Sequence, residues 1–212
     1  MTADAPRTAP WRVVILAFDG VEALDFAGPF EVFTTATRMH QRLHPAAPAL
    51  FDVTSAAQRP HALHPVQARA GLRLLADHAL DEAPRADVLI VPGGVVDAPL
   101  ASPDTLGWIA SQAASARITA SVCTGAFLLA ASGLLTSDRV TTHWEDVADL
   151  RAGFPALQVV EGVRWVDNGR VLSSAGISAG IDMSLHIVER LAGRTLAERT
   201  ARQMDFTWTQ NA

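Results

Sequence analysis

Unbroken apolar runs of strand length constrain this chain more than any other feature. Residues 12–18 read R-V-V-I-L-A-F. A strand with one wet face would alternate apolar and polar positions, so a continuous run predicts a strand buried on both faces of a parallel sheet. Residues 50–56, 87–91 and 118–122 read as three further strands, the last of them central. Helix signals fall between them. Pro29 near a first turn predicts a helix over 28–38, and Ser102 with Pro103 caps one running to about 115. Helical patterns also cover 125–133, 144–152 and 178 or 179 to 191. Thr195 and Glu198 form a capping box for a last helix to about Phe206. A strand is expected over 139–142, and strands 158–166 and 170–174 pair around the turn Asp167-Asn168-Gly169. Residues 40–48 and 58–65 read as loops. In the second loop His61 and His64 lack an acidic or Cys partner at ligand spacing, so they read as solvated, and no metal is expected. The alternation predicts an α/β fold: a doubly wound, mostly parallel sheet sandwiched by helices, flavodoxin-like. Residues 1–10 read as a disordered tail and 11–212 as one domain.

Composition narrows the function. The chain is 49% hydrophobic and 18% charged, as a globular protein should be. A net charge of −5 argues against nucleic-acid binding by bulk electrostatics. All 17 basic residues are Arg, so no lysine side chain is available for Schiff-base chemistry. A lone cysteine cannot form an internal disulfide, no apolar run approaches the roughly 20 residues of a membrane helix, and the N-terminus lacks a signal-peptide core. These features predict a cytoplasmic protein with no membrane partner.

The one cysteine, Cys123, sits where the strand 118–122 turns sharply into a helix beginning at Gly125. Such an elbow lifts a side chain above the sheet and aims the free N–H groups of the first helical turn at it, which predicts a stabilised thiolate and a depressed pKa. A buried structural cysteine is the alternative. Two other features fall at carboxyl ends of strands, where open α/β sheets bind ligands. Asp25 lies between Leu24 and Phe26, an apolar setting that suits a proton-shuttling carboxyl, or it is a helix cap. Gly93-Gly94 lets the backbone approach a ligand, and a backbone N–H there can form half of an oxyanion hole with that of Thr124, or it is an ordinary tight turn. His143, beside Trp144, could activate Cys123, or it is a satisfied core histidine.

These residues carry a resemblance to the ThiJ/PfpI superfamily, of class I glutamine amidotransferase-like fold. The shared pattern is L-D-F-A-G-P-F-E-V-F over 24–33, D-V-L-I-V-P-G-G over 87–94, and S-V-C-T-G over 121–125. It continues with L-A-A-S-G-L-L over 129–135, T-T-H-W over 141–144 and S-A-G-I-S-A-G-I-D over 174–182. Within the superfamily it most resembles isocyanide hydratases and also resembles the ligand-sensing domain of AraC-type transcription regulators. The hydratase resemblance implies Cys123 as nucleophile, Asp25 as the acid that activates water, Thr124 as the residue after the nucleophile, and Ile177 as a backbone position lining the site. The His that follows the cysteine in the protease and glyoxalase branches is here Thr124. The implied reaction converts an isocyanide and water to an N-formamide through a Cys-linked thioimidate. It needs no cofactor and uses a dry pocket that Phe26, Val95 and Ile177 would line. The resemblance also implies a homodimer. The competing reading is a non-catalytic small-molecule or redox sensor.

Overall fold

The computed structural model describes residues 9–58 and 65–210. His61 and His64 lie outside the described residues, as does most of the expected N-terminal tail.

Eleven strands and seven helices are described, in chain order: β1 (Trp11–Ala17), α1 (Ala23–Leu43), β2 (Phe51–Ala57), β3 (Val66–Gln67), β4 (Arg73–Leu74), β5 (His78–Ala79), β6 (Val88–Val91), α2 (Asp97–Leu100), α3 (Pro103–Ser115), β7 (Ile118–Val122), α4 (Gly125–Ala131), β8 (Arg139–Val140), a 3-10 turn (Trp144–Asp146), α5 (Val147–Gly153), β9 (Gln158–Val159), β10 (Trp165–Asp167), β11 (Val171–Ser174), α6 (Ala179–Ala192) and α7 (Arg194–Gln203). Seven strands form one sheet in the order β10-β11-β7-β6-β1-β2-β5. Every neighbouring pair is parallel except β10 with β11. The chain steps outward from β1 to β2, then returns to the other side of β1 at β6, so the winding reverses between β1 and β6. Ligand crevices form at such a reversal, at the carboxyl ends of the strands.

The apolar runs are continuous because both faces of the sheet are covered. Val13 and Ile15 of β1 join Val32 and Phe33 of α1, Met183 of α6 and Ala197 of α7 on one face. Val14 and Leu16 join Ile109 of α3, Leu128 of α4 and Leu150 of α5 on the other. A strand's side chains alternate across the sheet, so apolar residues at consecutive positions feed both layers.

The structure departs from the sequence reading in several places. Helix α1 begins at Ala23, not near Pro29, and extends into the expected loop at 40–43. Its first turn is nucleated by the Asp25 and Phe26 N–H groups donating to the Glu22 carbonyl, at 3.1 and 3.4 Å. Pro29 is interior and cannot donate to the Asp25 carbonyl; the cost of that lost bond is offset by packing on the buried face. The expected strand 158–166 is split. Gly162, at φ 74°, turns the chain, so β9 pairs with β8 and β10 with β11. The 139–142 strand stops at Val140, because the Thr141 N–H donates to Ser173 Oγ (3.0 Å) instead of continuing a ladder. The 144–152 helix opens with a 3-10 turn. The last helix ends at Gln203, and its capping box does not form: Gly193 is the cap, and the Glu198 carboxylate instead accepts from Arg194 Nε at 2.8 Å. The short elements β3, β4, β5 and α2 carry too few residues for a periodic signal. Among the described residues no helix is long and apolar enough to cross a membrane.

Candidate active site

Strand β7 delivers Cys123 to the elbow. Its φ of 56° is in the left-handed region, where a non-glycine residue is strained. The surroundings hold that conformation in place. The Cys123 N–H donates to the Ser174 carbonyl of β11 (3.1 Å), and the Thr142 hydroxyl donates to the Cys123 carbonyl (2.9 Å). A second non-glycine residue with positive φ, Ile177 at 41°, lies in the turn between β11 and α6. The backbone N–H groups of Thr124 and Ile177 both donate to the Cys123 sulfur. These two strained residues thus meet at one atom, an arrangement typical of functional sites.

Asp25 approaches from the first turn of α1. It is fully buried, its Oδ2 accepts from the Gly93 N–H (3.1 Å), and its carboxyl reaches the Cys123 thiol. Oδ1 has no partner of good hydrogen-bond geometry. Burial pushes the Asp25 carboxyl up to about 7, with the nearby Glu22 charge adding to the rise. Burial, with the charges of Asp25 and Asp146 adding to it, likewise pushes the Cys123 thiol up to about 12. The expected depression of the thiol pKa is therefore corrected. The Thr124 and Ile177 N–H groups act in the expected direction, but desolvation and the facing carboxyl outweigh them. Between those two values the pair holds one proton and one negative charge.

The Gly93-Gly94 expectation is also corrected. Neither N–H is open to a ligand: Gly93 donates to Asp25, and Gly94 donates to Thr124 Oγ1 at 2.8 Å. Thr124 Oγ1 in turn donates to the Gly94 carbonyl at 2.9 Å, so the threonine hydroxyl locks the loop after β6 to the elbow. Position 93 requires glycine. A Cβ there would lie 2.5 Å from both the Thr124 N and Oγ1, and 3.0 Å from the Cys123 Cβ.

A cavity of about 400 Å³ opens above Cys123. Of the expected pocket residues Gly94, Val95, Ile177 and His143 line it, together with Thr124; Gly93 and Phe26 do not. The Phe26 ring faces away, stacked 6.5 Å from Phe30 and packed against the core. The cavity is not dry either: Glu22, Arg69, Asp97, Glu145, Asp146 and Asp149 share its wall and mouth. Most of these polar residues escape a sequence reading because each alone looks like a solvated charge. His143 sits in the cavity wall, but its Nδ1 accepts from the Glu145 N–H (3.4 Å) and lies 3.3 Å from Asp146 Oδ2. Asp25, not His143, is the titratable side chain that the structure brings to the cysteine.

Residues 11–190 match the model of the DJ-1/PfpI family. The chain belongs to that family. It is 34% identical over 196 residues to the isonitrile hydratase of Pseudomonas putida, covering 92% of this chain and 78% of that protein. It is 35% identical over 146 residues to the HTH-type transcriptional regulator GbdR of Pseudomonas aeruginosa, covering 69% of this chain and 40% of the regulator. The crystal structure of a THiJ/PfpI family protein from Pseudomonas syringae superposes with a TM-score of 0.80 at 27% identity, covering 98% of this chain and 79% of that one. The mostly parallel, helix-flanked sheet is the fold of this family. The family holds both enzymes and regulators, as these relatives illustrate.

Proposed function

We propose that this protein is an isocyanide hydratase, with Cys123 as nucleophile and Asp25 as its acid–base partner. One observation carries the reading. A fully buried carboxyl pushed up to about 7 reaches a thiol whose sulfur also receives two backbone N–H groups, from Thr124 and Ile177. The similarity to the Pseudomonas putida hydratase supports it.

The chemistry matches those groups. The terminal carbon of R–NC accepts the sulfur lone pair. Asp25 takes the thiol proton as the C–S bond forms and passes it to that carbon, giving the thioimidate R–N=CH–S–Cys123. Water then adds to the same carbon. Asp25 takes one water proton and delivers it to the imine nitrogen. Collapse of R–NH–CH(OH)–S–Cys123 breaks the C–S bond, passes the hydroxyl proton to the leaving sulfur by way of Asp25, and so restores the Cys123 thiol and releases R–NH–CHO. A carboxyl balanced near neutrality suits these proton movements. The N–H groups of Thr124 and Ile177 stabilise charge on sulfur as it attacks and leaves. No step uses His143.

Mixing the protein with excess p-nitrophenyl isocyanide tests the reading. N-formamide formed in large molar excess over protein is expected; no formamide, or at most one equivalent, contradicts it. The regulator GbdR supports a second reading, in which the cavity binds a small molecule without consuming it. Binding that persists in Cys123→Ala with no turnover by the unaltered protein would favour that reading.

A further inference from the structure

A second cavity of about 400 Å³ shares His143 and Ile177 with the one above Cys123, but neither Cys123 nor Thr124 lines it. The His143 ring stands between the two. Its Nδ1 lies 3.3 Å from Asp146, which lines the first cavity. Its Cδ2 edge rests on Gly176, which lines the second, so closely that a Cβ on residue 176 would overlap the ring. Apolar side chains of Val147, Val163, Ala175 and Ile177 form much of this second wall, with Trp144 beside them. Apart from His143, its charged residues are Glu161 and Arg164, and both are compensated. Glu161 pairs with Arg151 at 2.7 Å, and Arg164 pairs with the buried Asp182 and donates to the Ser178 hydroxyl at 3.2 Å. Trp144 is a separate mark of an occupant. Four of the five tryptophans are buried or half-buried, whereas Trp144 is 75% exposed. A large ring left in water beside an apolar hollow of small-molecule size is the pattern of a binding site.

We propose that this second cavity binds a neutral small molecule carrying an aromatic ring, and that its occupant steadies Cys123. The proposal goes beyond the hydratase reading and does not depend on it. The ring packs on Trp144 and the aliphatic wall, where an aromatic pair gains more than its buried area alone. A charged group finds no unpaired counter-charge among Glu161 and Arg164, so burying one there costs free energy. Two residues of this wall hold the cysteine from the far side. The Thr142 hydroxyl donates to the Cys123 carbonyl at 2.9 Å, and the Ile177 N–H donates to the Cys123 sulfur. An occupant that fits the cavity as it stands favours the backbone in which both bonds exist. Excursions that loosen the elbow then become rarer.

NMR titration of the whole protein with 2-naphthol, 2-naphthoate and naphthalen-2-ylmethylammonium tests this. With 2-naphthol, shifts are expected at the amides of Trp144, Val163 and Ala175, with a Kd at or below about 1 mM. Both charged probes are expected to bind at least about threefold more weakly. Trp144→Ala, an exposed position, should weaken 2-naphthol at least about threefold. Val163→Phe, which fills part of the cavity, should weaken it further. Cys123 is buried, so iodoacetamide alkylation reports on loosening of the elbow. At a 2-naphthol concentration about three times its Kd, alkylation is expected to slow at least about twofold, and by no more than about fourfold. Val163→Phe should remove the slowing; slowing that persists in it would place the probe in the other cavity and overturn the proposal. Shifts confined to Gly94, Val95 and Thr124, equal or tighter binding of a charged probe, or unchanged alkylation would overturn it too. So would a Trp144 amide that shifts on simple dilution of the protein, which would mean that a second copy covers this face.

Discussion

The floor and the mouth of the cavity are built on opposite principles. At the floor, Cys123, Asp25, Gly93, Thr124 and Ile177 are held by backbone geometry, and nearly every polar atom has an assigned partner. At the mouth, Asp97, Glu145 and Asp149 are solvent-exposed and stand on a short helix, a 3-10 turn and a helix's first turn. The floor has little freedom to change, because each side chain there sets the position of another. The mouth can change one charge at a time. Chemistry is therefore expected to depend steeply on floor residues, and selectivity to depend gradually on mouth residues.

The largest effect is expected at the floor. Cys123→Ala should abolish isocyanide turnover, and Asp25→Asn should lower kcat by about 10²–10⁴-fold, the range for a lost acid–base group. The Asp25→Asn protein should also be more stable at pH 8. Burial raises the folded carboxyl pKa to about 7, above its ordinary value, so Asp25 favours folding most at acid pH. That contribution is lost as pH rises from about 4 through about 7. The amide avoids this cost, for a gain on the order of 2–4 kcal/mol in denaturant unfolding. A destabilised Asp25→Asn protein would show that the floor is held by the charge itself.

Next comes Gly93→Ala, whose Cβ would meet the Thr124 backbone and hydroxyl at 2.5 Å. A destabilisation of at least about 1–3 kcal/mol is expected, since the contact is with backbone and something must shift. Thr124→Val keeps the shape but removes both hydroxyl bonds to Gly94, with an expected cost of about 1–3 kcal/mol and a loss of kcat. If Thr124→Val leaves kcat and stability unchanged, the lock between the two loops is not needed.

How much of this was legible in the sequence follows the same division. The strand β7, the elbow at Cys123 and the layered sheet were readable, because an apolar run, a strand–helix junction and a Gly-Gly pair each force a local geometry. The partnership of Asp25 with Cys123 was implied by resemblance, since the two are far apart in sequence and only the winding of the sheet joins them. The thiol's environment escapes a sequence reading because helix N–H groups are a local feature, whereas burial and the facing carboxyl are tertiary. Pro29 misplaced the start of α1 for the same reason: local preference for a first turn yields to packing. The carboxylates at the mouth carry no motif. Asp97 and Asp149 resemble ordinary acids in a helix's first turn.

Smaller effects test the mouth. Asp149→Asn should change kcat/KM for a neutral aryl isocyanide by less than about threefold, since a single solvated charge contributes little. With wild-type protein, kcat/KM should rise with pH to a plateau, with a midpoint near the Asp25 value of about 7, because the carboxylate form accepts the thiol proton. A profile that is flat from pH 5 to 9, or that falls with rising pH, would contradict that role. Any larger effect of Asp149→Asn on the neutral substrate would mean that the mouth takes part in the chemistry.

The most direct test of the Asp25–Cys123 pair is intact-protein mass spectrometry during a single turnover of p-nitrophenyl isocyanide. In the wild-type protein a species of protein plus substrate mass should appear and decay as formamide forms, and it should be absent in Cys123→Ala. In Asp25→Asn it should form slowly or persist, since proton delivery and water activation both fail. An adduct that never decays in the wild type, or that forms and decays equally fast in Asp25→Asn, would contradict the account.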